Sequence, residues 1–276
     1  MNIKKAYVIG TKVNKSLSPL IFNHWFEKYN ISATYSFKVI KEQNFNKEIK
    51  KLLEEENLCG LNVTIPYKEK ILKNMNKLDK ASKIIQAVNC VTIKDKKYYG
   101  SNTDWRGFGE ALSDSLFSKR LEIQKNNKAI LIGYGGAAKA VLYSLSLMDS
   151  KYKNNTYVFN RSKKKINFPF ISQKNTLALE KIKDHLSQAV LIINTTPTNI
   201  LKDLGVKKIN KKVVVCDIVY KPKETKFLQH FTNPMAKIYG ISMLINQAKP
   251  CFFNWFGVKP LEDDLLKNKL FNEISK

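Results

Sequence analysis

The chain of 276 residues is 43% hydrophobic and 26% charged, a composition typical of globular proteins and not of disordered, collagen-like or low-complexity chains. Its length exceeds that of the usual single domain, which favours two domains of modest size. The net charge of +25 raises the possibility of a nucleic acid or an anionic membrane as partner. The lysines are scattered along the chain, however, so a solvated surface is the better interpretation, with no nucleic acid and no membrane as partner.

Short apolar runs alternate with helical patterns from one end of the chain to the other. The runs that predict strands are AYVIG, ATYSFKVI, LCGLNVT, CVTI, KAILIG, TYVFN, AVLIINTT and VVVCDIVY. This alternation predicts an α/β protein with parallel sheets wrapped by helices. We expect a first domain over residues 1–104 and a second over residues 105–240. The tail, MLINQAKPCFFNWFG followed by LEDDLLKNKLFNEI, predicts two helices whose packing partner the periodicity leaves open.

Several classes of site and location are disfavoured. The four cysteines lie far apart without C-x-x-C spacing, which favours reduced, buried thiols. No G-x-S-x-G or H-E-x-x-H pattern is present, and His24, His185 and His230 stand in no recognisable arrangement, so neither a hydrolase nor a metal site is predicted. No apolar run approaches the roughly 20 residues that span a bilayer, and MNIKKAYVIG enters a strand without a hydrophobic signal region. We therefore expect a cytoplasmic location.

A glycine-rich turn in KAILIGYGGAAKAVLYSLSLM is the clearest sign of a ligand. A buried strand ends at Gly133, Gly135 and Gly136 follow, and Ala137 opens a helix. Glycines let backbone amides approach a pyrophosphate, and the helix N-terminus adds free N–H donors and a favourable dipole. The last position of the G-x-G-x-x-G/A pattern is Ala138. A tight strand-to-helix connection without a ligand is the alternative.

The next predicted strand indicates which dinucleotide would bind. It ends at Asn160, where an NAD-binding unit usually places an acidic residue for the ribose hydroxyl. The chain continues instead as NRSKKK, so the planar fork of Arg161, with Ser162 and the following lysines, suits a 2′-phosphate. This favours NADP over NAD. Gly133 and Asn160 lie further apart than the usual ~20 residues, which we attribute to the polar insertion DSKYKNN.

Lys68 in GLNVTIPYKEK is a cation in an unfavourable place. Pro66 suits the first turn of a helix, so Lys68 lies near a helix N-terminus, whose partial positive charge disfavours cations. An ammonium beside a carboxylate can protonate the alkoxide formed when a nicotinamide reduces a ketone. Asp104 supplies a candidate carboxylate, and Asn89 a hydrogen bond for a hydroxylated ligand. Taken singly, the three also fit a surface charge, a helix N-cap and a turn residue.

Nine segments, in the same order, resemble those of the shikimate dehydrogenase family across nearly the whole chain. They are SLSP, NVTIPYKE, AVN, NTD, GYGGAA, NRS, NTTP, DIVYKP and GISMLINQA. The resemblance implies the NADPH-dependent, reversible reduction of 3-dehydroshikimate to shikimate on the route to chorismate and the aromatic amino acids. It also implies an N-terminal α/β substrate domain, a Rossmann-type NADP-binding domain, and C-terminal helices over residues 241–276 that return to the N-terminal domain.

The same resemblance implies roles for individual residues. Lys68 and Asp104 become the catalytic pair, with the lysine as proton donor to the C3 oxygen and the aspartate orienting it. The implied substrate-binding residues are Ser16, Ser18, Asn62, Thr64, Asn89, Tyr220 and Gln247. The implied cofactor-binding residues are Gly133, Gly135, Gly136, Ala137, Asn160, Arg161, Ser162, Lys165, Thr195, Ile218, Gly240 and Met243.

Two places depart from the family pattern, and two other functions stay open. Thr198 and Asn199 stand where the family often has a small residue and glycine, and Ser242 stands where proline is common. A quinate/shikimate dehydrogenase that uses NAD in the catabolic direction is one alternative, against which Arg161 argues. A nucleic-acid-binding protein on an inherited fold is a remote one, suggested by the charge. A monomer and a homodimer are equally compatible with the sequence.

Overall fold

The structure, a computed structural model, describes residues 3–118, 128–148, 155–161 and 168–275. The chain forms two compact units. The first comprises Met1–Thr103 and Gln247–Glu273, and the second comprises Asp104–Asn246 and Ile274–Lys276. The second unit thus contains residue 104, residues 241–246 and residues 274–276, all of which the sequence-based division placed with the first domain.

The first unit is built on a mixed sheet with the strand order β2-β1-β3-β5-β6-β4. Its strands are β1 (Lys4–Gly10), β2 (Ala33–Val39), β3 (Leu58–Val63), β4 (Lys77–Leu78), β5 (Cys90–Lys94) and β6 (Lys97–Ser101). The helices between them are α1 (Ser18–Lys28), α2 (Phe45–Leu53), α3 (Tyr67–Lys70) and α4 (Lys80–Ile85), with 3₁₀ turns at Glu42–Asn44 and Ile71–Asn74.

The strands of this sheet are not all parallel, in contrast to the prediction. β1 pairs with β2 and β3 in parallel, but β5 pairs with both β3 and β6 in an antiparallel sense. β5 and β6 form a hairpin closed by Asp95 and Lys96, whose φ angles are +50° and +55°. A two-residue hairpin turn of type I′ needs positive φ at both central residues, which Asn-Gly or Asp-Gly normally signals. Asp-Lys gives no such signal, so the sequence did not predict β6.

Part of the interior of the first unit, around α1 and Trp255, is aromatic. Phe22 of α1 stacks on Tyr35 of β2 at a centroid distance of 4.1 Å and lies 5.4 Å from the Trp255 ring. Trp255 lies against β3 at Gly60, where an added Cβ would come within 2.1 Å of the indole. Its Nε1 donates to the Val91 carbonyl at 3.0 Å. Gly60 therefore makes room for the indole ring of Trp255.

The second unit contains a sheet whose strands all run parallel, in the order β12-β11-β10-β7-β8-β9. The strands are β7 (Lys128–Ile132), β8 (Thr156–Asn160), β9 (Thr176–Ala178), β10 (Ala189–Asn194), β11 (Val214–Asp217) and β12 (Ala236–Tyr239). The helices are α5 (Asp104–Ser118), α6 (Gly136–Met148), α7 (Ile200–Asp203) and the start of α8 (Gly240–Phe256), with 3₁₀ segments at Gln173–Asn175, Leu179–Gln188 and Leu228–His230.

This strand order is that of a Rossmann-type domain. In chain order the sheet reads 6-5-4-1-2-3, so the direction of winding reverses beside β7. Ligands of such sheets bind at the carboxyl ends of the strands, at that point of reversal. β7 and β10 are buried almost throughout, as expected for strands covered on both faces. The predicted α/β class and the Rossmann-type second unit are confirmed.

The two tail helices, α8 and α9 (Asp264–Ile274), lie where the sequence predicted helices. The segment between them contacts α1 of the first unit. The Nε2 atom of buried His24 lies 3.0 Å from Asp263 Oδ1, and Trp25 Nε1 donates to the Leu261 carbonyl at 3.3 Å. His24 therefore has a structural role. The return of the tail to the N-terminal part of the chain is confirmed.

Cys90, Cys216 and Cys251 are buried free thiols, while Cys59 is half-buried. In the part of the chain that the structure describes, no helix combines the length and the apolar character needed to cross a bilayer.

Candidate functional site

The glycine turn of the second unit lies at the carboxyl edge of its parallel sheet. β7 ends at Ile132, and the N–H of Gly133 donates to the carbonyl of Phe159 in neighbouring β8 at 2.8 Å. Gly133 has a φ of +98°, a conformation that L side chains rarely adopt. An added Cβ there would also come within 2.7 Å of Thr195 Oγ1. Only glycine therefore fits this position, between β7 and the loop that follows β10.

The loops after β10 and β11 and the start of α8 connect to this turn through a series of hydrogen bonds and close contacts. The N–H and the hydroxyl of Thr195 both donate to the Ile132 carbonyl, at 3.0 and 2.6 Å. The N–H of Ile218 donates to the Asn194 carbonyl at 3.1 Å. At the start of α8, a Cβ on Gly240 would lie 2.4 Å from the Ile218 carbonyl oxygen. The structure thus brings the predicted cofactor residues Gly133, Thr195, Ile218 and Gly240 together at one edge.

The donor set of this edge fits a dinucleotide. Gly135 is exposed, and a Cβ added to it would meet nothing within 4 Å, so its backbone faces open space. Gly136 is the first residue of α6, a helix of 13 residues whose first N–H groups have no partners within the helix. Ala137, in the first turn, is small enough to leave these donors accessible. A pyrophosphate is the ligand that such a turn accommodates.

Arg161 lies directly after β8, at the same edge, and is exposed. Asn160, the last residue of β8, is half-buried, and no acidic side chain follows it. A guanidinium at this place suits a phosphate on the adenosine ribose, as the sequence predicted. Ser162 and Lys165, the other residues predicted to bind this phosphate, lie outside the described residues. Met243 is buried in the first turns of α8.

In the first unit, two residues of the predicted substrate set, Asn89 and Gln247, share a buried hydrogen-bond network with Thr103. Asn89 is 3% exposed, and its Nδ2 donates to Gln247 Oε1 at 3.0 Å and to Thr103 Oγ1 at 2.9 Å. Asn89 Oδ1 accepts from the N–H of Thr103 at 2.6 Å. The Thr103 hydroxyl donates to the Gln247 carbonyl at 2.9 Å. Asn89 therefore joins β5, the end of β6 and α8.

Asn62 extends this network on β3. Its Nδ2 donates to the Asn89 carbonyl and to Cys251 Sγ, both at 3.2 Å, and its Oδ1 accepts from the Tyr35 hydroxyl at 2.7 Å. With a side chain only 5% exposed, Asn62 is held from three sides. Its hydrogen bonds orient the segment at Asn89. Only the small exposed fraction of the Asn62 side chain is open to contact with a substrate.

The remaining polar residues of the first unit follow strand ends. Ser16 and Ser18, after β1, are joined by a hydroxyl–hydroxyl hydrogen bond of 3.2 Å. The N–H of Thr64, after β3, donates to the Ile9 carbonyl at 3.0 Å, which places it beside the end of β1. β1 and β3 are parallel neighbours, so these three hydroxyls lie at the same edge of the sheet. Several short donors at one edge suit a small anion with hydroxyl groups.

Lys68 is the second residue of α3, as the proline before it predicted, and its side chain is half-buried. Its backbone carbonyl accepts from the N–H of Val88 at 2.8 Å, the residue before Asn89. Asp104 is the first residue of α5 and is 4% exposed. It directly follows Thr103, the partner of Asn89. Tyr220 lies in the loop after β11 and is half-buried.

Two buried residues were not assigned a role from the sequence. Thr103 holds Asn89 and Gln247 in the first unit, and Asp217 accepts hydrogen bonds from three donors in the second. Both lie inside segments that carry the resemblance, NTD and DIVYKP, so the signal was present. What it lacked was the identity of their partners, which are distant in sequence. Among the described residues, no group of three or more His, Cys, Asp and Glu side chains could hold a metal ion.

Residues 8–91 match the family model of the shikimate dehydrogenase substrate binding domain. The shikimate dehydrogenase (NADP(+)) of Clostridium perfringens (strain SM101 / Type A) is 36% identical to this chain over 280 aligned positions, which cover 97% of each protein. That of Oceanobacillus iheyensis is 33% identical over 91% of each. A crystal structure of a shikimate dehydrogenase in complex with NADP+ has a TM-score of 0.78 and 28% identity, covering 99% of this chain and 96% of that one. Because identities above 30% extend over nearly the full length of both proteins, this chain belongs to the shikimate dehydrogenase family.

Proposed function

We propose that the protein catalyses the NADP-dependent, reversible interconversion of 3-dehydroshikimate and shikimate, a step on the route to chorismate and the aromatic amino acids. The observation that carries this proposal is the similarity to relatives named shikimate dehydrogenase (NADP(+)), which extends over nearly the whole chain at up to 36% identity. The glycine turn, Arg161 and the polar network around Asn89 are consistent with it. A cytoplasmic location and a monomeric or homodimeric state are further predictions.

NADPH, when bound, supplies the hydride that reduces the carbonyl carbon. The backbone of Gly135 and the start of α6 hold the pyrophosphate by N–H donors, whose partial charges favour an anion. Arg161 binds the 2′-phosphate with its planar fork and so selects NADP over NAD. Ile218, Gly240 and Met243 border the nicotinamide.

The substrate is a small anion with several hydroxyl groups. Ser16 and Ser18 bind its carboxylate, while Thr64, Tyr220 and Gln247 contact the carboxylate or the ring hydroxyls. Asn89, whose amide is held by Gln247 and Thr103, contacts the same groups of the substrate. Short polar side chains held by their own hydrogen bonds lose little entropy on binding, which favours a ligand with many polar groups.

Proton transfer is the task of Lys68 and Asp104. As the hydride reaches the carbonyl carbon, the Lys68 ammonium donates a proton to the C3 oxygen, and the C–O π bond becomes an O–H bond. The carboxylate of Asp104 orients the ammonium and balances its charge.

The experiment that tests the function follows the absorbance of reduced nicotinamide with purified protein. Shikimate with NADP is compared with shikimate and NAD, and with quinate and each cofactor. We expect the first pair to be used best. Efficient oxidation of quinate with NAD would favour the quinate/shikimate alternative, and no turnover with any pair would refute the proposal. Binding of labelled DNA or RNA at physiological salt would support the nucleic-acid alternative.

A further inference from the structure

A buried carboxylate connects two of the loops at the carboxyl edge of the second sheet. Asp217 is the last residue of β11 and is 1% exposed. Its Oδ1 accepts from Asn194 Nδ2 and from the N–H of Val219, both at 3.1 Å. Its Oδ2 accepts from the Thr225 hydroxyl at 2.6 Å. These contacts join the end of β10 to both ends of the loop that follows β11.

Asn194 carries the connection into the loop after β10. Its Oδ1 accepts from the N–H and the hydroxyl of Thr196, at 3.1 and 2.6 Å, and its Nδ2 also donates to the carbonyls of Thr196 and Thr198. One amide therefore fixes the turn that begins with Thr195. Because the same amide donates to Asp217, the conformations of the two loops are coupled.

Thr225 carries the connection to the far side of the second loop. Its hydroxyl oxygen accepts from the N–H of Leu228 at 3.2 Å, which starts the 3₁₀ turn Leu228–His230. Ile218 directly follows Asp217, and Tyr220 lies between Val219 and Thr225, the two ends of the loop that Asp217 holds. The resemblance of the sequence implies that Thr195 and Ile218 bind the cofactor and that Tyr220 binds the substrate.

Burying a carboxylate is costly, and at Asp217 hydrogen bonds from uncharged donors offset that cost. Burial raises the pKa of Asp217, while hydrogen bonds from Thr225, Val219 and Asn194 oppose this rise. None of the ion pairs found among the described residues includes Asp217. Donors alone hold it, and an acceptor-only carboxylate suits three converging donors better than a neutral side chain does. A stable core would be built more simply with an apolar residue.

We propose that Asp217 is a positioning residue for the nicotinamide end of the site: its carboxylate holds the loop that carries Thr195 and the loop that carries Ile218 and Tyr220 in one arrangement. The inference rests on the proposed function. It predicts that Asp217 acts on binding and turnover through those residues, without touching cofactor or substrate itself.

The experiment compares Asp217→Ala with a matched control. Asn175 is another buried polar residue of the second unit, 2% exposed, whose Nδ2 donates to the Thr156 carbonyl at the start of β8, the strand end opposite to Asn160. Asn175→Ala therefore removes a buried hydrogen bond without reaching the loops. For both variants the melting temperature, the Kd of NADPH and the KM of shikimate are measured.

We expect both variants to melt at lower temperature, but only Asp217→Ala to raise the Kd and the KM. The rise should be at least about tenfold, because the variant loses three hydrogen bonds to a charged group and the loss of one already corresponds to about tenfold. Asp217→Asn keeps an acceptor for Val219 and Asn194, and the Thr225 hydroxyl can turn to accept, so it should recover most of the loss. If Asp217→Ala does not fold, Thr225→Val should give a smaller rise of the same two constants.

Three results would overturn the inference. They are unchanged constants in folded Asp217→Ala or Thr225→Val, an equal rise in Asn175→Ala, and a loss in Asp217→Asn as large as that in Asp217→Ala. The wild type is assayed first: if it oxidises shikimate with NADP, these results bear on Asp217 alone, whereas an inactive wild type refutes the proposed function and this inference together.

Discussion

The two glycines of the turn after β7 should respond in opposite ways to the same substitution. A Cβ on Gly135 would meet nothing within 4 Å, and its φ lies outside the left-handed region. Gly135→Ala should therefore fold as well as the wild type, or better by about 0.4–1 kcal/mol, because alanine restricts the unfolded chain. Gly133→Ala should destabilise the fold by about 1–3 kcal/mol, since φ is +98° and the new Cβ would lie 2.7 Å from Thr195 Oγ1.

Gly135→Ala, although it should not destabilise the fold, should weaken the binding of NADPH. The methyl group of Gly135→Ala would occupy the space in which a pyrophosphate approaches the backbone, and at least one N–H to phosphate hydrogen bond would be lost. A hydrogen bond to a charged group contributes about 1.5–3 kcal/mol, which corresponds to a roughly 10- to 150-fold weaker Kd. Gly135→Ala is thus expected to be a stable protein that binds its cofactor poorly.

The assay pairs urea unfolding with isothermal titration of NADPH for the wild type and both variants. The midpoint of Gly135→Ala should equal or exceed that of the wild type while its Kd rises. If this variant binds NADPH as tightly as the wild type, the pyrophosphate does not lie against Gly135 and the cofactor assignment is wrong. If it unfolds as easily as Gly133→Ala, the open space inferred at Gly135 is wrong.

Lys68→Ala should lower kcat by about 10²–10⁴-fold, the usual contribution of a general acid, with little change in the KM of shikimate. The control is Lys70→Ala, on the same short helix, where Lys70 pairs with Glu42 at 2.8 Å. A large rise in KM at unchanged kcat would refute the role of Lys68. Arg161→Ala should weaken NADPH far more than NADH, and equal losses would contradict a contact with the 2′-phosphate. Hydrogen bonding from Lys28 holds the pKa of Asp263 well below its usual range, so this carboxylate stabilises the fold above its unfolded-state pKa of about 3.9 and ceases to do so as the pH falls towards the lowered value. Asp263→Asn, which can still cap α9, should therefore cost about 1 kcal/mol at pH 7, and a loss that stays the same below pH 4 would show that charge is not the cause.

The sequence alone was sufficient where a feature is local. The strand, glycine turn and helix from Lys128 to Met148 follow from a buried apolar run, residues without a Cβ and helical spacing, all of which act between near neighbours. The same holds for the position of Arg161 after β8. The place of Lys68 near the start of a helix followed from Pro66, two positions earlier in the chain. The order of nine short segments supplied the family.

Only the tertiary structure decided how distant residues combine. Asn89 meets Thr103 over 14 residues of sequence and Gln247 over 158, and Asp217 meets Asn194 over 23. The hairpin of β5 and β6 also escaped prediction, because Asp95 and Lys96 take positive φ without the residues that usually announce it. Hydrogen-bond partners of buried polar groups are chosen by which side chains the packed sheets bring within about 3 Å. Periodicity in the sequence records which residues are buried, but the partner of a buried amide or carboxylate is fixed only when the chain has folded.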